Sequence, residues 1–245
     1  MTVAPGDAEP ARALVLEVFP EGFEEVELGD VVELAGYGDE QHERRLGRGF
    51  PAVRAAEVEA GWDERWRAFH VPAVVGPLWI GPPWEEPETG MIAVVIDPGR
   101  AFGTGAHATT RMCLELLAGL PRGSALDVGC GSGVLAIAAA KLAFDPVLAV
   151  DTDEAAVEAT ELNVAANGVA VETRHADARS ERLPAADVAL VNVALDVVLE
   201  VADRVDAAYL VTSGYLHEDR PAASRFDHVG RRTDKGWAAD LFERR

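Results

Sequence analysis

The sequence predicts an α/β protein: a mainly parallel sheet covered by helices on both faces, preceded by a small α+β unit. Three observations predict it. Beyond Pro121, short apolar runs rich in β-branched residues alternate with amphipathic helical segments. The first of those runs enters a glycine loop, Leu126-Asp127-Val128-Gly129-Cys130-Gly131-Ser132-Gly133. A Pro- and Gly-dense stretch, GPLWIGPPWEEPETG, separates this pattern from what precedes it. With 245 residues, 49% of them hydrophobic, the chain can build one large core or a small and a medium one.

Taken in order, Ala13–Phe19 (ALVLEVF) reads as a strand closed by the turn Pro20-Glu21-Gly22, and Val26–Leu34 as a second strand. Ala52–Ala60 suits a helix. Trp62, Trp66 and Phe69 form an aromatic group spaced for a core or a partner contact. Residues 1–71 are thus expected as a small α+β domain, 72–90 as a connector with a short strand at Leu78–Ile80, and 91–245 as the α/β domain. In the latter, Met91–Ile96 is a strand and Thr109–Leu120 a helix. The alternation then gives strand Ala125–Val128, helix Val134–Leu142 and strand Val147–Val150. The next helix opens at Asp153, a good N-cap, runs its apolar stripe through Ala155, Ala159, Leu162 and Ala166, and closes at Asn167-Gly168. Strands Ala170–Arg174 and Val188–Val191 follow, then a helical stripe of Leu195, Val198, Leu199 and Ala202, and a strand Ala208–Thr212. Phe226–Val229 and Trp237–Phe242 suit a closing hairpin.

Composition narrows the function. Lys and Arg number 22 against 42 Asp and Glu, a net charge of −20, which opposes charge-driven binding to nucleic acid and suits a basic partner. Cys113 and Cys130 form no disulfide framework or CxxC pair, and the six histidines, His107 among them, show no metal-ligand spacing, so no metal is expected. The opening MTVAPGDAEP resembles no secretory leader and no run is long enough to span a membrane, so a cytoplasmic protein is expected.

Glycines let backbone approach a ligand, and the helix start behind the loop can present N–H groups to an anion. The dinucleotide pattern G-x-G-x-x-G fails, because Val134 stands where the third glycine would be. An acidic residue followed by G-x-G-x-G is similar instead to the nucleoside loop of methyltransferases that use S-adenosylmethionine. Asp151, just past the next strand, is placed to accept both hydroxyls of a ribose. Asp177 either accepts from an adenine amino group or is a solvated loop carboxylate. Asn192, ending a later strand, is a donor and acceptor at the mouth of the site.

The loop Asp97-Pro98-Gly99-Arg100-Ala101-Phe102-Gly103-Thr104-Gly105-Ala106-His107-Ala108-Thr109-Thr110, with GCGSGVLAIAAAKL, VDTDEAAVEATELNVAANGV and the Asn192 turn, resembles the bacterial ribosomal protein L11 methyltransferase family. The resemblance covers about Asp97 to Leu199. It implies a seven-stranded, Rossmann-like class I methyltransferase domain behind a small substrate-recognition domain. The implied enzyme methylates lysine side chains and the N-terminal amine of a large-subunit ribosomal protein, as a cytoplasmic monomer without direct nucleic-acid or membrane contact. Cofactor contacts are implied at Thr110, Gly129, Asp151 and Asn192, with Phe102 and Gly131 close by; His107 and Asn192 are the catalytic candidates. Ala106 and Ala108 depart from the family's usual Thr and Pro, and Asn192-Val193-Ala194-Leu195 from its Asn-Ile-Leu-Ala turn. Alternatives are another protein or small-amine acceptor for the same cofactor, or a catalytically silent nucleoside-binding relative.

Overall fold

The computed structural model describes residues 2–4, 6, 11, 14–15, 18, 24–28, 31–36, 40–47, 50, 53, 70–97, 105 and 107–245. The chain divides into two compact units, Met1–Arg65 and Trp66–Arg245.

In the smaller unit, β1 (Thr2–Val3), β3 (Val31–Ala35) and β2 (Glu24–Leu28) form an antiparallel sheet in the order β1-β3-β2, accompanied by helix α1 (Glu40–Gly47). The stretch Val26–Leu34, expected as one strand, is the hairpin of β2 and β3. The run expected as a strand at Ala13–Phe19 is also corrected: Leu14, Val15 and Val18, like Ala11, are helical. Their spacing of three and four residues is that of one helix face, and Ala11, Val15 and Val18 are buried with Val3, Val32, Leu34 and Leu46. The helix expected at Ala52–Ala60 and the aromatic residues Trp62, Trp66 and Phe69 lie outside the described residues.

The larger unit begins with a three-stranded sheet, β4 (Ala73–Val75), β5 (Leu78–Gly81) and β6 (Ile92–Val95), with β4-β5 antiparallel and β5-β6 parallel. The stretch 72–90 expected as a connector is therefore folded into this unit, and the division between units falls at Arg65/Trp66. Buried Leu78, Trp79 and Ile80 on β5 are the reason: an apolar strand next to β-branched β6 gains more by packing than by spanning solvent.

Then come α2 (Ala108–Ala118), β7 (Ala125–Val128), α3 (Val134–Lys141), β8 (Val147–Asp151), α4 (Glu154–Asn167), β9 (Glu172–His175), β10 (Ala186–Asn192), α5 (Leu195–Val201), β11 (Ala207–Leu216), β12 (Phe226–Asp234) and β13 (Trp237–Arg244). Their strands make one seven-stranded sheet in the order β12-β13-β11-β10-β7-β8-β9. Only β13 runs against its neighbours β11 and β12. Alternation along the strands feeds two cores. Ala125, Val147, Ala149, Val188 and Leu190 face α2 and α3, whereas Leu126, Val128, Leu148, Val150, Ala189 and Val191 face α5. Three layers result, with the order of strands reversing between β7 and β10, which marks the crevice where such sheets bind ligands.

Helix α4 corrects the expected stripe. Its caps are as read: the Asp153 carboxylate accepts from Ala155 N at 2.9 Å, and Gly168 closes the helix in the left-handed region at φ +61°. Its buried face, however, is Ala156, Val157, Thr160, Asn163 and Asn167, while Leu162 is 72% exposed. The polar members are bonded rather than orphaned. Asn167 donates to Val95 O at 2.6 Å and accepts from Val95 N at 2.9 Å, and Asn163 accepts from Asp97 N at 3.0 Å. On α5, likewise, Val198 and Val201 are buried and Leu199 is exposed.

Candidate active site

At the carboxyl ends of β7, β8, β10 and β11 lies a cavity of about 710 Å³. That is within the range of small-molecule sites. Thr110, Gly129, Gly131, Asp151, Asn192, Asp177 and His107 all line it. Phe102, the remaining expected contact, lies outside the described residues.

The floor is the β7-α3 loop, where Gly129, Gly131 and Gly133 have φ of +74°, +54° and +81°. Only glycine adopts such a run without strain. A Cβ on Gly129 would also stand 2.2 Å from Val193 Cγ1, and one on Gly133 2.8 Å from Thr160 Cγ2. The loop is braced from outside by α4: Thr160 Oγ1 donates to Gly131 O at 3.0 Å and Asn163 Nδ2 to Ser132 O at 2.9 Å. This is why α4 buries a polar face.

At the helix start read as presenting N–H groups to an anion, Ala136 N is taken by the Asp127 carboxylate at 3.0 Å, and most N–H groups of the loop before it turn inward. Gly129 N and Cys130 N donate to Val150 O at 2.9 and 3.1 Å, Gly131 N to the Asp151 carboxylate at 3.0 Å, and Gly133 N to Cys130 O at 2.8 Å. With these donors engaged inside the protein, the loop is a smooth glycine surface rather than a phosphate cradle.

Asp151 closes the cavity beside this loop. One carboxylate oxygen accepts from Gly131 N and the other from Asp153 N at 3.0 Å. Each oxygen keeps a second lone pair for a ligand hydroxyl. Asp177 is not a bare acceptor: Arg179 holds it through Nε at 3.0 Å and Nη2 at 3.2 Å, keeping its carboxyl below the usual range.

On the opposite wall, His107 is the N-cap of α2, its Nδ1 accepting from Thr109 N at 3.4 Å with Thr109 Oγ1 at 2.7 Å. Because a backbone N–H can only donate, Nδ1 is the unprotonated nitrogen. Burial, with Arg111 nearby, pushes the imidazole pKa down, so the ring is neutral near pH 7. Geometry therefore gives His107 a capping duty. Its ring meets Trp237 edge to face at 5.0 Å between centroids. Arg111 pairs with Asp234, tying α2 to the β12-β13 hairpin.

Thr110 is fully buried, and its hydroxyl has no hydrogen-bond partner among the described residues. A buried hydroxyl left unmade costs about 1–3 kcal/mol, and this one borders a cavity that a polar ligand group would fill. Behind the floor, Asp127 is also buried: one oxygen accepts from Ala136 N at 3.0 Å, capping α3 where Gly133 has no side chain to do so. Its other oxygen has no partner, and burial raises its pKa to about 7. The buried thiols of Cys113 and Cys130 are pushed up, the latter to about 12, so neither is a ready nucleophile.

Sequence reasoning missed several residues of the site, Gly214 and Trp237 among them. Gly214, at φ +101° on the bulge of β11, allows Val193 to pass: a Cβ there would lie 2.0 Å from Val193 O. Trp237 arrives from the far hairpin. An isolated glycine inside a strand pattern was the available signal for the first; Trp237 had none.

Comparison with known proteins agrees with this geometry. A family model described as Ribosomal protein L11 methyltransferase (PrmA) matches residues 33–244. The ribosomal protein L11 methyltransferase of Desulforamulus reducens is 36% identical over 221 residues, covering 81% of this chain and 72% of that protein. That of Heliobacterium modesticaldum is 40% identical over 190 residues, covering 74% of this chain and 60% of its own length. A solved ribosomal protein L11 methylase from Lactobacillus delbrueckii subsp. bulgaricus aligns with a TM-score of 0.64 at 26% identity, covering 71% of this chain and 98% of that one. The chain belongs to the ribosomal protein L11 methyltransferase family and is an S-adenosylmethionine-dependent protein methyltransferase.

Proposed function

We propose that the protein methylates amino groups of ribosomal protein L11, lysine side chains and the N-terminal amine, with S-adenosylmethionine bound in the 710 Å³ cavity. One observation carries the reading: a glycine floor, a strand-end carboxylate, the Asn192 amide and an unpartnered buried hydroxyl converge on a single cavity in a chain of this family. The residues fit that cofactor. Gly129 and Gly131 leave room for a flat or extended group, Asp151 accepts from the ribose, and Thr110 and Asn192 supply the remaining polar contacts. When bound, S-adenosylmethionine supplies an electrophilic methyl group on a sulfonium sulfur.

The protein's task is then alignment and exclusion of water. A free lysine has a pKa near 10.4 and must arrive neutral. The apolar lining of Val193, Ala194, Val197, Leu135 and Trp237 favours the neutral amine by desolvation. Neither His107, whose basic nitrogen caps α2, nor Asn192 is a fixed base, so the proton leaves to solvent. The turn after Asn192 offers Val193 and Ala194 rather than a rigid amide clamp, which leaves the amine free to rotate between successive methylations. The unit Met1–Arg65 is the part we assign to acceptor recognition.

The test is intact mass of unmethylated ribosomal protein L11 after incubation with this enzyme and S-adenosylmethionine, with calorimetry of the cofactor alone. Stepwise methyl additions support the proposal. Cofactor binding without any addition shows a different acceptor or a silent enzyme.

A further inference from the structure

A second cavity, about 520 Å³, sits at the opposite ends of β7, β8, β9 and β10 from the cofactor site. Its origin is topological. The crossovers β7-β8, β8-β9 and β10-β11 each carry a helix, whereas β9 and β10 are joined by residues 176–185 with none. The sheet face that a fourth helix would cover is left thinly roofed. Leu126 and Leu148, neighbours in register, line the cavity with Pro184.

Arg174 also lines it, projecting from β9. Its Nε and Nη2 are shut from solvent with no hydrogen-bond partner among the described residues. Those two nitrogens have lost water without gaining an acceptor, a costly arrangement, and Nη1 is left as the nitrogen that is not shut off. The cavity's two carboxylates, Asp145 and Glu172, are exposed, and neither pairs with it among the described residues. Their charge opposes a polyanion, while the apolar wall favours a ligand with a hydrocarbon body.

We propose that this cavity binds a small monocarboxylate with an apolar body, whose carboxylate is received by the guanidinium of Arg174. The probes are hexanoate, acetate and inorganic phosphate, titrated at fixed ionic strength into the full-length protein while backbone amide NMR shifts are followed. Hexanoate is expected to give saturable shifts confined to residues 145–148 and 172–174, with acetate weaker. Its affinity is expected to fall about tenfold or more in both Arg174→Met and Arg174→Gln, with S-adenosylmethionine affinity unchanged. Absence of saturable shifts, or equal affinity in the variants, overturns the proposal. Phosphate binding tighter than hexanoate overturns the carboxylate assignment. Two variants that lose thermal stability while hexanoate leaves the wild type untouched would make Arg174 structural.

Discussion

Asp151 illustrates how one side chain joins loop geometry to ligand chemistry, since the carboxylate that faces the cavity also holds Gly131 and starts the turn into α4. Asp151→Ala is expected to weaken S-adenosylmethionine binding by about 1.5–3 kcal/mol through lost charge-assisted bonds, read by calorimetry. Unchanged affinity would remove Asp151 from the site. Asp127 makes a different prediction. Its folded pKa of about 7 lies above the unfolded value near 3.9, so the folded state holds the proton more tightly. The stability this gives is complete below the unfolded pKa and lost as pH rises through the folded one. Denaturation of the wild type is therefore expected to become easier from pH 5 to 8, by up to about 2–3 kcal/mol from this group, and Asp127→Asn should flatten that slope. A slope unaltered in the variant would show that Asp127 is ionised in the fold throughout.

At the scale of elements, much of the larger unit was legible. β7 begins and ends where its apolar run does, and Asp153 and Gly168 cap α4 as capping chemistry requires. The face of α4 was not legible, because apolar periodicity favoured Ala155, Ala159 and Leu162, whereas the helix is held by bonds from Thr160 and Asn163 to the glycine loop. A hydrophobic count is blind to a buried polar stripe whose partners lie elsewhere in the chain. The two readings separate experimentally. Asn163→Ala should cost about 1–3 kcal/mol and lower cofactor affinity, while Leu162→Gln should stay within about 0.5 kcal/mol of wild type by thermal unfolding. In the same way, Asp151 and the glycines could be read from the sequence because they are contiguous with strand ends. Trp237 could not, because only β13 lying antiparallel beside β11 brings it across the sheet.

For the whole molecule, a charge of −20 is the dominant long-range property. If acceptor recognition follows the proposal, a basic acceptor is steered by that field, and kcat/KM is expected to drop about tenfold from low to physiological ionic strength with kcat little changed. A salt-independent kcat/KM would confine the charge to a solubility role. A quieter global consequence lies in Asn167, whose amide meets both Val95 N and Val95 O. β6 is the outer strand of its sheet, and an outer strand with bare peptide groups invites pairing with another molecule. The carboxamide of Asn167 stands in for the missing neighbour's peptide and closes that border. Asn167→Leu should therefore show itself less in catalysis than in self-association at high concentration, measured by light scattering, and unchanged scattering would leave the amide a purely local brace.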